Sequence, residues 1–156
     1  MKDLYLIVHN VRSVHNVGSL FRTADAAGVS KIFLVGITPT PVDRFNRARK
    51  DFAKTSLGAE KTMPWESVTS FATLVKKLKK GGIQVVGLEC GEGATPFQLF
   101  KPTFPTALVV GNEVEGVSKK DLKLCDAVIE IPMKGMKESL NVGVAAGIAL
   151  FRIALS

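Results

Sequence analysis

The chain has 156 residues, of which 46% are hydrophobic and 22% are charged, with a formal net charge of +7. This length is typical of one domain with a real hydrophobic core, so we interpret residues 1–156 as a single domain. No apolar run approaches the roughly 18 residues of a membrane helix, and the opening segment is charged too soon for a signal peptide, which favours a cytoplasmic protein without a membrane partner. Cys90 and Cys125 lack metal-ligand or redox spacing, so we expect reduced core thiols and no metal site.

Short apolar runs alternate with helical patterns along the chain. The runs predict strands at residues 4–8, 31–35, 84–88, 106–110 and 127–131. Apolar spacing of three and four residues predicts helices from about residue 17 to Gly28, at 68–80, from Ser118 to about 124, and at 141–155. Residues 39–64 show no regular pattern. This alternation predicts an α/β fold with a mostly parallel sheet flanked by helices.

The last predicted helix has almost no polar face, since Arg152 is its only charged residue. A helix that is apolar all round is buried on all sides. One sheet covers only one side of such a helix. The pattern therefore predicts a subunit interface, and we expect a homodimer formed through this helix.

A basic segment lies inside the irregular stretch. Its cations are Arg44, Arg47, Arg49, Lys50 and Lys54. Phe45 and Phe52 lie among them, together with Asp43 and Asp51. Two interpretations are open: a solvated helical face, or an RNA-binding patch whose cations contact phosphates and whose aromatic rings stack on bases.

Three polar, glycine-containing segments lie beside apolar runs, at residues 16–24, 111–116 and 131–142; we call them the first, second and third motif segments. Loops at strand ends are where open α/β folds bind ligands. Three such segments from distant parts of the chain predict one composite site.

Individual side chains in these segments suggest their chemistry. An arginine near a helix start opposes the helix dipole, so Arg22 is expected either to bind a phosphate or carboxylate or to pair locally with Asp25. Glu113 lies between glycines. It could accept a hydrogen bond from a ribose hydroxyl, hold an arginine, or serve as an ordinary turn carboxylate. Ser139 is a natural N-cap, with Asn141 opening the last helix.

Together the segments resemble the three motifs of the SpoU (TrmH-like) branch of the SPOUT RNA methyltransferases. The matching patterns are N-x-G-x-x-x-R-x-A in the first segment, G-N-E-x-x-G in the second, and I-P-M followed by S-L-N-V in the third. Residues 55–59 also resemble a segment common in the family, and the likeness extends over residues 10–155. The resemblance implies a deep trefoil knot in the C-terminal half and an obligate dimer.

The resemblance also implies a cofactor and a reaction. S-adenosylmethionine would bind in a bent shape, held largely by backbone groups of Gly111, Ile131 and Leu140. Met133 and the loop at Leu88 and Glu89 are further candidates. The implied reaction is methyl transfer to a ribose 2′-hydroxyl in tRNA or rRNA; the alternative is a catalytically inactive, knotted RNA-binding protein.

The catalytic roles implied by the resemblance centre on Arg22. It would act as the base, activated by an RNA phosphate. Alternatively, it would only clamp that phosphate while water takes the proton, since the arginine side chain keeps its proton at physiological pH. The residues that would orient Arg22, the ribose and the loops are Asn16, Glu113, Ser139 and Asn141. An arginine of a second subunit is a candidate to complete the RNA site.

Overall fold

Seven parallel strands and six α-helices make up the structure, a computed structural model that describes residues 2–156. The strands are β1 (Leu4–His9), β2 (Lys31–Val35), β3 (Trp65–Val68), β4 (Gln84–Leu88), β5 (Thr95–Pro96), β6 (Thr106–Val110) and β7 (Ala127–Glu130). The helices are α1 (Val14–Ala27), α2 (Lys50–Ser56), α3 (Ala59–Thr62), α4 (Phe71–Lys80), α5 (Lys119–Leu122) and α6 (Val142–Ala154), and a 3-10 turn spans Phe97–Leu99. The predicted α/β fold with a parallel sheet is confirmed.

The strand order is β3-β2-β1-β6-β4-β7-β5, and every pairing between these strands is parallel. Strand β6 lies between β1 and β4, and β7 lies between β4 and β5. Two strands that come late in the sequence thus lie between strands that come earlier in the sequence. Because the sheet is parallel, the loops that follow β1, β6, β4 and β7 meet at one edge.

Helices cover both faces of the sheet, because successive strand residues point to opposite sides. On one face, Leu6 and Val8 of β1 belong to the same buried cluster as Leu20 of α1 and Leu150 of α6. On the other, Ile7 clusters with Leu74 and the rest of the apolar stripe of α4. The site described below lies where α1 and α6 meet the sheet edge.

One predicted helix begins later than expected. The helix predicted at residues 68–80 begins at Phe71, and Val68 instead ends β3, paired with Val35. The reason is Ser70, whose Oγ accepts a hydrogen bond from the N–H of Thr73 at 3.2 Å and so caps the helix. The irregular stretch at 39–64 also contains α2 and α3, which its short apolar pattern did not reveal.

Gly18 sets the close approach of α1 to α2. A Cβ at this position would lie 2.7 Å from the carbonyl oxygen of Phe52 and would collide with the side chain of Thr55. We expect Gly18→Ala to destabilise the fold by about 1–3 kcal/mol, the usual cost of overpacking, measured by urea unfolding. Gly147→Ala is the control, since its Cβ would make an ordinary contact at 3.4 Å with Thr23; equal stability of the two variants would contradict the packing argument.

Candidate active site

A cleft of about 160 Å³ lies between the loops that follow β4, β6 and β7. All five residues predicted to hold a cofactor line it, namely Leu88, Gly111, Ile131, Met133 and Leu140. Glu113 and Ser139, two of the predicted catalytic residues, line it as well. The fold thus brings the second and third motif segments to one cavity.

The walls of the cleft combine apolar side chains with free backbone donors. Val142 and Ala145 of α6 add apolar surface that sequence reasoning did not assign to the site. The backbone N–H groups of Ile131, Met133 and Leu140 have no hydrogen-bond partner within residues 2–156. Such a cleft suits a flat, largely apolar ligand with polar edges.

Glu113 holds the beginning of α1. Its Oε1 accepts from the N–H of Arg12 at 3.0 Å, and its Oε2 accepts from the N–H of Ser13 at 2.9 Å and from Nδ2 of Asn16 at 3.2 Å. Desolvation raises the pKa of the Glu113 carboxyl, but the hydrogen bonds from Arg12, Ser13 and Asn16 outweigh it and hold the pKa below its usual value. The carboxylate therefore serves as an anchor for backbone donors that the helix leaves unpaired.

A hydrogen-bond chain joins the three motif segments. Asn16 donates from Nδ2 to Glu113, and its Oδ1 accepts from Nδ2 of Asn141 at 3.3 Å. Asn141 also caps α6, because its Oδ1 accepts from the N–H groups of Gly143 and Val144. The prediction of Ser139 as the N-cap is therefore wrong: Asn141 satisfies the free donors of the helix, which leaves Ser139 in the cleft lining.

A pH-dependent effect follows from the position of Glu113. Because its folded pKa is lowered, the carboxylate stabilises the fold above its unfolded pKa, and this contribution is lost as pH falls through the folded pKa. We expect Glu113→Gln to be less stable than the wild type at neutral pH and the difference to shrink in acid. Urea unfolding across pH measures this; a difference that grows on acidification would contradict the anchoring role.

Glu130 is a cleft residue that sequence reasoning missed. It ends β7, lines the cleft, and accepts from the N–H of Gly91 at 3.3 Å. Its position at the carboxyl end of a parallel strand, directly before the third motif segment, was the available signal. Glu89, which follows the adjacent strand β4, accepts from the N–H groups of Cys90 and Val117, so both carboxylates hold the loop after β4 in place.

The two cysteines are free, but only one fits the prediction of a core thiol. Cys90 is exposed beside the cleft, because it lies in the loop after β4, whereas Cys125 is half-buried. Burial raises the pKa of the Cys125 thiol to about 11.

Arg22 does not line the cleft. Its side chain is exposed and makes no hydrogen bond or ion pair with any of residues 2–156, so the predicted pair with Asp25 is not formed. It follows Asn16 by six residues, which is about 9 Å along the axis of α1. It also lies one turn beyond Gly18, on the side of α1 near α2, whereas Asn16 meets α6.

The basic segment is more strongly neutralised than its sequence indicates. Arg47 pairs with Asp43 at 3.0 Å and Arg49 pairs with Asp51 at 2.9 Å. The segment is not one helical face, since α2 begins only at Lys50. Within the described chain, the cations of this segment without an ion pair are Arg44, Lys50 and Lys54.

The two phenylalanines of this segment have different environments. The expectation that Phe52 stacks on RNA bases is wrong, because it is fully buried and packs edge-on against Phe21 with ring centroids 5.0 Å apart. Phe45 is exposed. Only Phe45 is therefore available as an aromatic contact.

Membrane-spanning helices and metal sites are two further features that bear on function. None of the described helices has both the length and the apolar character to cross a membrane. In the same part of the chain, no group of three or more His, Cys, Asp or Glu side chains is arranged to hold a metal ion.

Comparison with known proteins identifies relatives. A curated 23S rRNA (guanosine-2′-O-)-methyltransferase, RlmB of Photobacterium profundum, is 38% identical over 148 residues, which are 95% of this chain. The chain spans 58% of that relative's length. Among solved structures, the A. aeolicus TrmH/SpoU tRNA modifying enzyme is 32% identical with a TM-score of 0.85, covering 99% of this chain and 75% of that one.

A second solved structure carries a ligand. The SpoU methyltransferase AviRb of Streptomyces viridochromogenes, in complex with the cofactor AdoMet, is 27% identical with a TM-score of 0.85, covering 99% of this chain and 60% of that one. The model of the SpoU rRNA Methylase family matches residues 3–151. Because this match covers both the sheet and all three motif segments, the chain belongs to the SpoU rRNA methylase family.

Proposed function

We propose that this chain transfers a methyl group from S-adenosylmethionine to a ribose 2′-hydroxyl of tRNA or rRNA, as a single methyltransferase domain in the cytoplasm. The observation that carries the proposal is the hydrogen-bond chain from Glu113 through Asn16 to Asn141, which joins the three motif segments beside the cleft. The 23S rRNA (guanosine-2′-O-)-methyltransferase activity of the RlmB relative supports it.

The residues of the cleft fit S-adenosylmethionine. An adenosyl group has a flat ring for the apolar walls, and its polar edges match the free N–H groups of Ile131, Met133 and Leu140. Gly111 permits a tight loop, since a Cβ there would lie 2.6 Å from the backbone of Gly116. When bound, the cofactor would supply an electrophilic sulfonium methyl group.

The protein's own residues would align the substrate and handle its proton. Asn16, Glu113 and Asn141 fix the beginning of α1 relative to α6, and Ser139 borders the cleft where the ribose would enter. In-line alignment of a hydroxyl with a reacting group accounts for much of the rate in such reactions. Arg22 would bind the RNA phosphate, as base or as clamp, and the site would be completed by a second subunit, because one chain leaves Arg22 outside the cleft.

An apolar stripe on α6 supports the homodimer. The exposed apolar residues of this stripe are Val144, Ile148, Phe151 and Leu155. Their spacing of four, three and four residues places them on one side of the helix. An exposed apolar stripe of this kind marks an interaction surface, and the self-association of two stripes would bury both.

The strand order supports a trefoil knot in the C-terminal half. Strands β6 and β7 are inserted between strands that precede them in the chain. The connections before and after these strands then cross the same edge of the sheet, which ordinary folds avoid. We infer that the third motif segment and α6 complete the knot and so bring the cleft loops together.

The basic segment is proposed to contact RNA. Arg44, Lys50 and Lys54 have no ion pair within the described chain and would bind phosphates, whereas the acidic neighbours of Arg47 and Arg49 weaken their contribution. The net charge of +7 favours association with a polyanion.

Calorimetry and a transfer assay test the proposed function. We expect the protein to bind S-adenosylmethionine and to transfer its labelled methyl group to cellular tRNA or rRNA. The absence of binding at millimolar cofactor would overturn the proposal. Binding of both cofactor and RNA without transfer would favour the inactive RNA-binding protein.

A further inference from the structure

The loop at residues 42–48, which we call the Phe45 loop, is built to hold a fixed shape. Oδ1 of Asp43 accepts from the N–H groups of Phe45 at 2.8 Å and Arg47 at 3.0 Å, and its carbonyl oxygen accepts from Asn46. The two ends of the loop are bridged as an antiparallel pair. The hydrogen bond from the backbone of Arg47 is the main reason that the pKa of Asp43 lies below its usual value.

This loop presents an aromatic ring to solvent close to two cations. Phe45 is 62% exposed. The guanidinium carbons of Arg44 and Arg47 lie 4.8 Å and 4.9 Å from its ring centroid. Burying a phenylalanine stabilises a protein by roughly 1.5–3 kcal/mol, and Phe52 in the same segment is buried. Phe45 thus leaves its ring accessible to a ligand, beside two guanidinium groups.

The connection that carries the Phe45 loop leaves the sheet at the same edge as the candidate active site. It follows β2, which pairs with β1, and β1 pairs with β6, whose following loop carries Glu113. Two strand spacings separate β2 from β6, or about 10 Å. An RNA strand that enters the active site therefore approaches the connection that carries the Phe45 loop.

From this geometry we propose that Phe45, with Arg44 and Arg47, forms a stacking site for an unpaired nucleobase of the RNA substrate. Aromatic rings and guanidinium planes both stack on bases, and arginine also contacts the adjacent phosphate. The base must be unpaired, because the faces of bases inside a duplex are covered by their neighbours. The inference rests on the proposed RNA methyltransferase function and adds to it a preference for substrates with a single-stranded region near the methylated ribose.

The test compares Phe45→Ala with Phe45→Trp. Binding is measured by fluorescence anisotropy at several salt concentrations, with a fluorescein-labelled single-stranded RNA of mixed sequence and with the same strand in a duplex. We expect Phe45→Ala to lose about 5-fold or more in affinity for the single strand and none for the duplex, and Phe45→Trp to restore it. Leu99→Ala is the control, because Leu99 is a similarly exposed apolar residue that follows β5, the outermost strand on the far side of the sheet from β2. This variant should change the affinity for neither RNA.

The salt dependence separates stacking from charge. Loss of a phosphate contact lowers the slope of log affinity against log salt by about 0.7 for a single strand, whereas loss of stacking leaves the slope unchanged. An unchanged affinity of Phe45→Ala, or a fall in its slope, would overturn the stacking site while the wild type still methylates RNA. If the wild type binds neither RNA form, the proposed function fails, and the stacking site fails with it.

Discussion

Replacing Arg22 with alanine is expected to lower methyl transfer to RNA by about 10²- to 10⁴-fold, the usual contribution of a positioned proton-transfer group, with almost no change in cofactor affinity. The reason for this separation is geometric, since Arg22 is exposed and lies outside the residues that line the cleft. Single-turnover transfer with labelled cofactor measures the first quantity, and calorimetry measures the second.

Arg22→Lys distinguishes the two roles proposed for this residue. Lysine keeps a positive charge but lacks the planar, two-pronged donor set of arginine, so a phosphate clamp would retain part of its activity. A base would instead move the pH dependence of transfer, because the ordinary pKa of lysine is about 10.4. Wild-type activity in Arg22→Ala would exclude both roles.

The order and type of the main elements could be predicted because their apolar periodicity is local. Residues 31–35, 84–88 and 106–110 form strands with the predicted limits. The position of each strand in the sheet could not be predicted, because the insertion of β6 and β7 between earlier strands depends on contacts between distant parts of the chain. Short helices such as α2 and α3 were missed, because one or two helical turns are too short to show a clear apolar periodicity.

The candidate site could be predicted by residue type better than by geometry. The motif pattern selected Gly111, Ile131 and Leu140, which the fold places around one cleft. It could not show that Asn141, two residues after Ser139, caps α6, because both side chains have the same capping chemistry. Nor could it show that Arg22 lies away from the cleft, which depends on how α1 packs between α2 and α6.

A charged residue in the apolar stripe of α6 is expected to dissociate the proposed dimer. Val144 and Leu155 are 53% and 81% exposed in the single chain, so Val144→Asp combined with Leu155→Asp should leave the monomer folded. In the dimer the same changes would bury unpaired carboxylates at the interface, which is strongly unfavourable. Light scattering would show monomers, and transfer activity should be lost. A dimer that survives both substitutions would contradict the interface.

Mixing two inactive variants reveals whether Arg22 acts across that interface. Arg22→Ala removes the arginine, and Gly111→Ala distorts the cleft loop, where the new Cβ would lie 2.6 Å from the backbone of Gly116. If Arg22 serves the cleft of the other subunit, each mixed dimer has one intact site and one with both defects. Random reassociation should then restore about one quarter of wild-type activity, since half of the dimers are mixed and each mixed dimer has one working site of two. If Arg22 serves its own cleft, both sites of every mixed dimer carry a defect, and no activity returns. Because Arg22 lies on the side of α1 away from the cleft of its own chain, we expect the first result.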